Sequence, residues 1–192
     1  MFPAGPSSAM IPTPPTSSVS SNACICTERA LEIVETLGGN SDEMSNFYGF
    51  SALNTQRRAL RQYQHLLTCD DCLRKTTHLT LLIMVLKQMA EFGDNIVSRH
   101  FNFQYVFSRD SSRLTFKHGS YEIDSEDEMR AVIQTLTALQ LRDMMHLMQR
   151  VSSSGVFQMK ETHFMSLHSA QEQVKGSIAR LRQGRPCSAQ QN

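Results

Sequence analysis

Two cysteine pairs are the residues of this 192-residue chain whose type and spacing could do chemistry. Cys24-Ile25-Cys26 is one and Cys69-Asp70-Asp71-Cys72 the other. Thiolate sulfur is a soft donor, and four of them suit a tetrahedral zinc ion. A C-x-C pair bites a metal awkwardly, and these intervals are not those of a zinc ribbon or finger. Reduced cysteine is also among the most readily buried side chains. The residues themselves favour packed thiols. A zinc or redox-linked site at Cys24, Cys26, Cys69 and Cys72 is the alternative. Cys187 stands apart in the C-terminal tail.

Other catalytic constellations are missing from the sequence. Seven histidines occur, at positions 65, 78, 100, 118, 146, 163 and 168, and none belongs to an H-E-x-x-H motif. There is no G-x-S-x-G, no phosphate-binding glycine loop and no dinucleotide fingerprint. Cys72 and His78 lie six residues apart, which points them to different sides of a helix. His65 and His146 are expected to cap or line packed helices. No enzyme is predicted.

The elements that must position the thiols are helical. The centre of the pattern runs from Leu53 to Ala90, two apolar stretches joined at the Cys69–Cys72 motif. The second stretch carries Leu79, Leu82, Ile83, Leu86, Met89 and Ala90, with Leu81, Met84 and Val85 filling its other faces. A helix apolar nearly all round must be buried on several sides. Before it, a first helix is predicted from about Cys26 to Leu37, with Ala30, Leu31, Val34 and Leu37 inward and Gly38-Gly39 as its stop. The second and third helices are predicted at about 52–68 and 73–92, with Gly93-Asp94 fraying the end. If the first two helices pack antiparallel, the start of one meets the end of the other and all four thiols gather at one end.

Beyond them, residues 98–124 read as an irregular connector. Phe101, Phe103, Tyr105 and Phe107 alternate as in a short strand, and Arg113 to Ile123 suits a small hairpin turning near His118-Gly119. Ser125-Glu126-Asp127-Glu128 is a capping box opening a long helix to about Val151. Its apolar positions are Met129, Val132, Ile133, Leu136, Leu139, Leu141, Met144, Met145 and Met148. The last helix, about 160–183, spaces Phe164, Leu167, Gln171, Val174, Ile178 and Leu181 as a heptad seam. Packing within the chain is the favoured use of that 164–181 seam, and oligomerisation the alternative.

Composition bounds the rest. Apolar residues make up 40% and charged residues 19%, with a formal net charge of +1. Bulk charge therefore gives no argument for a nucleic-acid or membrane surface. Arg57, Arg58 and Arg61, and later Arg180, Arg182 and Arg185, read as solvated faces of amphipathic helices. No secretory signal or membrane-length apolar run is visible, so a soluble, intracellular protein is expected. Residues 1–22 are rich in proline and serine and are expected to be a disordered linker. Residues 23–184 are the expected helical domain and 185–192 a disordered tail.

Taken in order, the proline- and serine-rich lead, C-x-C opening a short helix, L-L-x-C-x-x-C before a very apolar helix, and G-S-Y-E-I-D-S-E-D-E before a long helix resemble one family. It is the aflatoxin regulatory protein family, fungal transcription factors of the Zn2Cys6 type. The matching stretches are Cys24–Leu37, Leu66–Met89 and Gly119–Leu147, within a resemblance over roughly 20–183. The resemblance implies the C-terminal regulatory domain of a nuclear DNA-binding protein that controls a secondary-metabolite gene cluster making a polyketide or mycotoxin. It implies contact with transcriptional co-regulators or machinery. Five cysteines at these positions cannot form the family's six-cysteine zinc cluster, so DNA contact is expected only through a missing domain or a partner. The expected fold is all-α, a bundle of about five helices. The expected function is regulatory. A standalone co-regulator, or a zinc- or redox-responsive module using the four thiols, is the alternative.

Overall fold

The apolar density of the central stretch decides the architecture, because such a helix needs neighbours on several sides; one of its expected filling positions, Met84, instead faces out at 58% exposure. The computed structural model describes residues 24–43, 49–69, 72, 75–102, 116–118, 121–123, 125–154 and 159–183. Among them five helices form: α1 (Cys26–Glu43), α2 (Gly49–Leu66), α3 (Thr76–Asn102), α4 (Glu126–Ser153) and α5 (Glu161–Gln183). Strands β1 (Phe116–His118) and β2 (Tyr121–Ile123) pair antiparallel between α3 and α4, with Lys117 opposite Glu122. The fold is the expected all-α bundle, with the small hairpin in its connector. The expected disordered segments, 1–22 and 185–192, lie outside the described residues, as do Phe103, Tyr105 and Phe107.

α3 touches each of the other four helices. Leu79, Leu82, Val85, Leu86, Met89, Ala90, Ile96 and Val97 are all buried along it. Burying a side chain of Leu size contributes about 1.5–3 kcal/mol, so this one helix supplies the largest single share of the core. It also runs further than expected. Gly93 does not fray it, because Phe92, Ile96 and Val97 continue the buried pattern to either side. Phe101, expected in a strand, belongs to its last turn.

Gly93 instead marks a close approach. A β-carbon there would sit 2.8 Å from Gln56 Nε2 of α2 and 2.9 Å from Leu141 Cδ2 of α4. Glycine lets three helices converge at one level of α3. Gly38 and Gly39 show the converse. Neither adopts a left-handed conformation, and nothing lies near where their β-carbons would be. α1 therefore passes through them to Glu43 rather than stopping at Leu37. Its buried stripe is Cys26, Ala30, Ile33 and Leu37, while Leu31, expected to face inward, is 49% exposed.

Polar pairs fix how α5 lies on α3. His163 meets Thr80, and Ser177 donates to Asp94, which also pairs with Arg180. The two pairs His163/Thr80 and Ser177/Asp94 share a sequence offset of 83, so α3 and α5 run parallel, in constant register over about 21 Å. The buried stripe of α5 is His163, Leu167, Ala170, Val174, Ser177 and Leu181. The seam is thus met within the chain, displaced by one residue at alternate positions. Phe164, expected in it, is 50% exposed, and Gln171 and Ile178 lie at its margin.

α4 packs antiparallel to α5, with the Gln134 side-chain amide donating to the Leu181 carbonyl. The serine half of the capping box is present at its N-terminus: Ser125 Oγ accepts from the Glu128 amide at 3.5 Å. Only the second half of α4 enters the core, through Leu141, Met144, Leu147, Met148 and Val151. Leu136 and Leu139, expected among its inward positions, are 37% and 48% exposed.

Candidate metal centre

The thiol end of the bundle is built from two helix termini. At the first, Cys24 precedes α1 and Cys26 is its opening residue. The Cys26 backbone amide, which has no partner earlier in the helix, donates to Cys24 Sγ at 3.4 Å. The Cys24 thiol thus satisfies the first amide of the helix from just outside it. The C-x-C spacing has a local reason: one residue meets that amide and the other turns its side chain into the core.

At the second terminus α2 tightens before it ends. The Leu67 amide donates to the Tyr63 carbonyl at 3.3 Å and the Thr68 amide to the His65 carbonyl at 3.1 Å. Two short turns follow, Cys72 amide to Cys69 carbonyl and Lys75 amide to Cys72 carbonyl, both at 3.1 Å. The i-to-i+3 closure brings Cys69 and Cys72 to one side of the connection. α1 and α2 are in contact, so the start of one meets the end of the other.

All four sulfurs come together. Cys24 Sγ lies 3.1 Å from Cys72 Sγ and 3.3 Å from Cys69 Sγ. Every pair of the four sulfurs lies within 4.8 Å. A tetrahedron with arms of about 2.3 Å has sulfur–sulfur edges of about 3.8 Å, inside that spread. All four are free thiols. Cys26 and Cys72 are buried, and Cys24 and Cys69 half-buried. The cluster could hold a metal ion.

The thiols are not equivalent. Hydrogen bonds from the Cys26 side chain, then from Cys72 and from the Cys26 backbone amide, pull the Cys24 thiol down to about 6. Burial, reinforced by the neighbouring Cys24 and Cys69, pushes Cys26 up to about 12. Burial raises Cys72 above the ordinary thiol range as well. One sulfur is thus ready to meet a cation as thiolate, and at least two others must release a proton to join it.

The two cysteine motifs name all four of these residues. The histidines fall differently from expectation. His65 and His146 are exposed, while His78 and His163 take buried places. His163 Nδ1 accepts from the Lys160 amide at 3.3 Å, which leaves the proton on Nε2, 3.0 Å from Thr80 Oγ1. It thus closes the α5 N-terminus as the glutamate of a capping box would. His78 Nε2 is buried without a partner, and burial followed by the Lys75 charge holds its imidazole below the ordinary value. Neither belongs to the sulfur cluster. Among the described residues no helix is long and apolar enough to cross a membrane. Compared with protein-family models, curated proteins and solved structures, the chain matches none.

Proposed function

We propose that this chain is a regulatory domain of a nuclear transcription regulator, acting by protein contact, with a structural zinc ion at Cys24, Cys26, Cys69 and Cys72. One observation carries the reading. The C-x-C and C-x-x-C motifs, two features of the resemblance to the aflatoxin regulatory protein family, are the two that converge on a single site. Motifs that are distant in sequence and joined in space behave as parts of one module. Zinc is the ion favoured by four thiolates at tetrahedral spacing, and its role here is mechanical. It ties the start of α1 to the α2–α3 connection. The partners are co-regulators or the transcription machinery, and DNA is reached through another domain or chain. The controlled genes are a secondary-metabolite cluster of the polyketide or mycotoxin kind.

The test is a tethering assay in a filamentous fungus. The whole chain is fused to an unrelated DNA-binding domain upstream of a reporter. Reporter transcript should change several-fold relative to the DNA-binding domain alone, and the change should vanish with Leu82→Asp. An unchanged reporter from a fusion that is folded and nuclear would remove the regulatory reading. Zinc content, measured separately on the purified chain, decides the metal part.

A further inference from the structure

We propose that Cys24 is a site of reversible oxidation, at which a hydroperoxide is reduced and a Cys24–Cys72 disulfide is formed. The release of the ion in this scheme rests on the zinc reading above; the disulfide does not. Its contacts single out Cys24. It lies outside α1 and is half-buried, as Cys69 is, whereas Cys26 is 8% and Cys72 only 2% exposed behind them. Cys24 also sits against two sulfurs at once, Cys72 at 3.1 Å and Cys69 at 3.3 Å. Its sulfur accepts the Cys26 backbone amide at 3.4 Å, a bond that favours negative charge there. Of the two half-buried thiols, Cys24 is the one that touches both Cys69 and Cys72. A disulfide needs a sulfur–sulfur distance of about 2.05 Å, so Cys72 has about 1 Å to travel.

The chemistry balances in two steps. The Cys24 sulfur attacks one peroxide oxygen; the S–O bond forms, the O–O bond breaks, and the leaving oxygen takes a proton as an alcohol or water. Cys72 Sγ then attacks the Cys24 sulfur of this sulfenic acid. The S–S bond forms, the S–O bond breaks, and hydroxide leaves as water with the Cys72 proton. Two thiols and one hydroperoxide give one disulfide, one alcohol and one water, and the two electrons lost by sulfur reduce the peroxide. Thiol–disulfide exchange with an external thiol reverses it.

The product has a structural consequence. Cys24 and Cys72 are 48 residues apart, and their bridge would tie the α1 start to the α2–α3 connection as the ion does. Oxidation removes two of four donors and so expels the ion, while leaving this end of the bundle closed. A Cys69–Cys72 bridge, by contrast, would leave the α1 start unconstrained.

The experiment uses the full chain with Cys187→Ser, treated with one equivalent of hydrogen peroxide. Free thiols are alkylated and peptides mapped by mass spectrometry, while a chromogenic chelator follows zinc. The expected result is a dominant Cys24–Cys72 cross-link, with about one zinc ion released per disulfide. The same mapping on chelator-stripped chain should give the same cross-link, so an absence of zinc would sink the metal reading alone. Cys24→Ser should abolish the cross-link, and Cys26→Ser, which keeps both partners, should retain it. A dominant Cys69–Cys72 or Cys24–Cys69 bridge, or a sulfinic Cys24 with no bridge, would overturn the proposal.

Discussion

α3 and α4 are nearly equal in length, 27 and 28 residues, and both carry long apolar repeats, yet they are used in opposite ways. α3 carries buried positions from His78 to Val97, with four helices packed against it. α4 is buried only from Thr137 onward, where it meets α2, α3 and α5. Its earlier apolar positions are half-buried or exposed. Periodicity alone does not distinguish the two. What separates them is how many partners lie beside each turn, a property of the assembled bundle.

The sharpest way to break this contrast is a charge in each helix. Leu82→Asp places an unpaired carboxylate at a fully buried position and should unfold the domain, at a cost of several kcal/mol. Leu139→Asp should stay within about 0.5 kcal/mol of the parent, because the position is 48% exposed. Chemical denaturation followed by circular dichroism reads both. Similar losses from the two would erase the distinction between the helices.

Within α4 the two halves should differ by less but in the same sense. Met144→Ala leaves a cavity at a fully buried site and should cost about 2–4 kcal/mol. Leu136→Ala, on the outer half, should cost under about 1 kcal/mol. Equal costs would mean that the first half is covered after all.

The Gly93 crossing offers a test of opposed effects. Alanine improves helix propensity by about 1 kcal/mol, but its β-carbon meets Gln56 and the buried Leu141 at under 3 Å. Overpacking of this kind costs about 1–3 kcal/mol, so Gly93→Ala should lose a net 1 kcal/mol or so. A gain in melting temperature would show that the close approach is readily relaxed. Ser125→Ala is the smallest case. The capping bond is long, and its loss should cost about 0.5 kcal/mol in the same denaturation assay.

Much of this was legible in the residues, and particular side chains show why the rest was not. The N-cap at Ser125 and the density of Leu79 to Ala90 each point to a single local structure, and both are found. Gly93 carried a true signal that supports two outcomes, a helix end or a close crossing, and only neighbouring helices choose between them. Ile33 and Leu31 flank the same side of α1 in sequence, and a rotation of that helix by part of a turn decides which is buried. The four cysteines were readable as donors. Their convergence needed an antiparallel α1–α2 pair, which motif spacing could propose but not supply.

The central claim is that those four sulfurs form one metal centre. Cobalt(II) titration of the reduced chain under argon tests it directly, since cobalt in a tetrahedral thiolate site absorbs intensely while cobalt in an oxygen site absorbs weakly. The account predicts saturation at one cobalt per chain, displacement by zinc, and loss of the spectrum in Cys69→Ser/Cys72→Ser. Binding should tighten from pH 6 to pH 8, because Cys26 and Cys72 are held protonated by burial and must give up their protons to the ion. A weak six-coordinate spectrum, or no saturable binding by a folded chain, would contradict it and leave the thiols as packing alone.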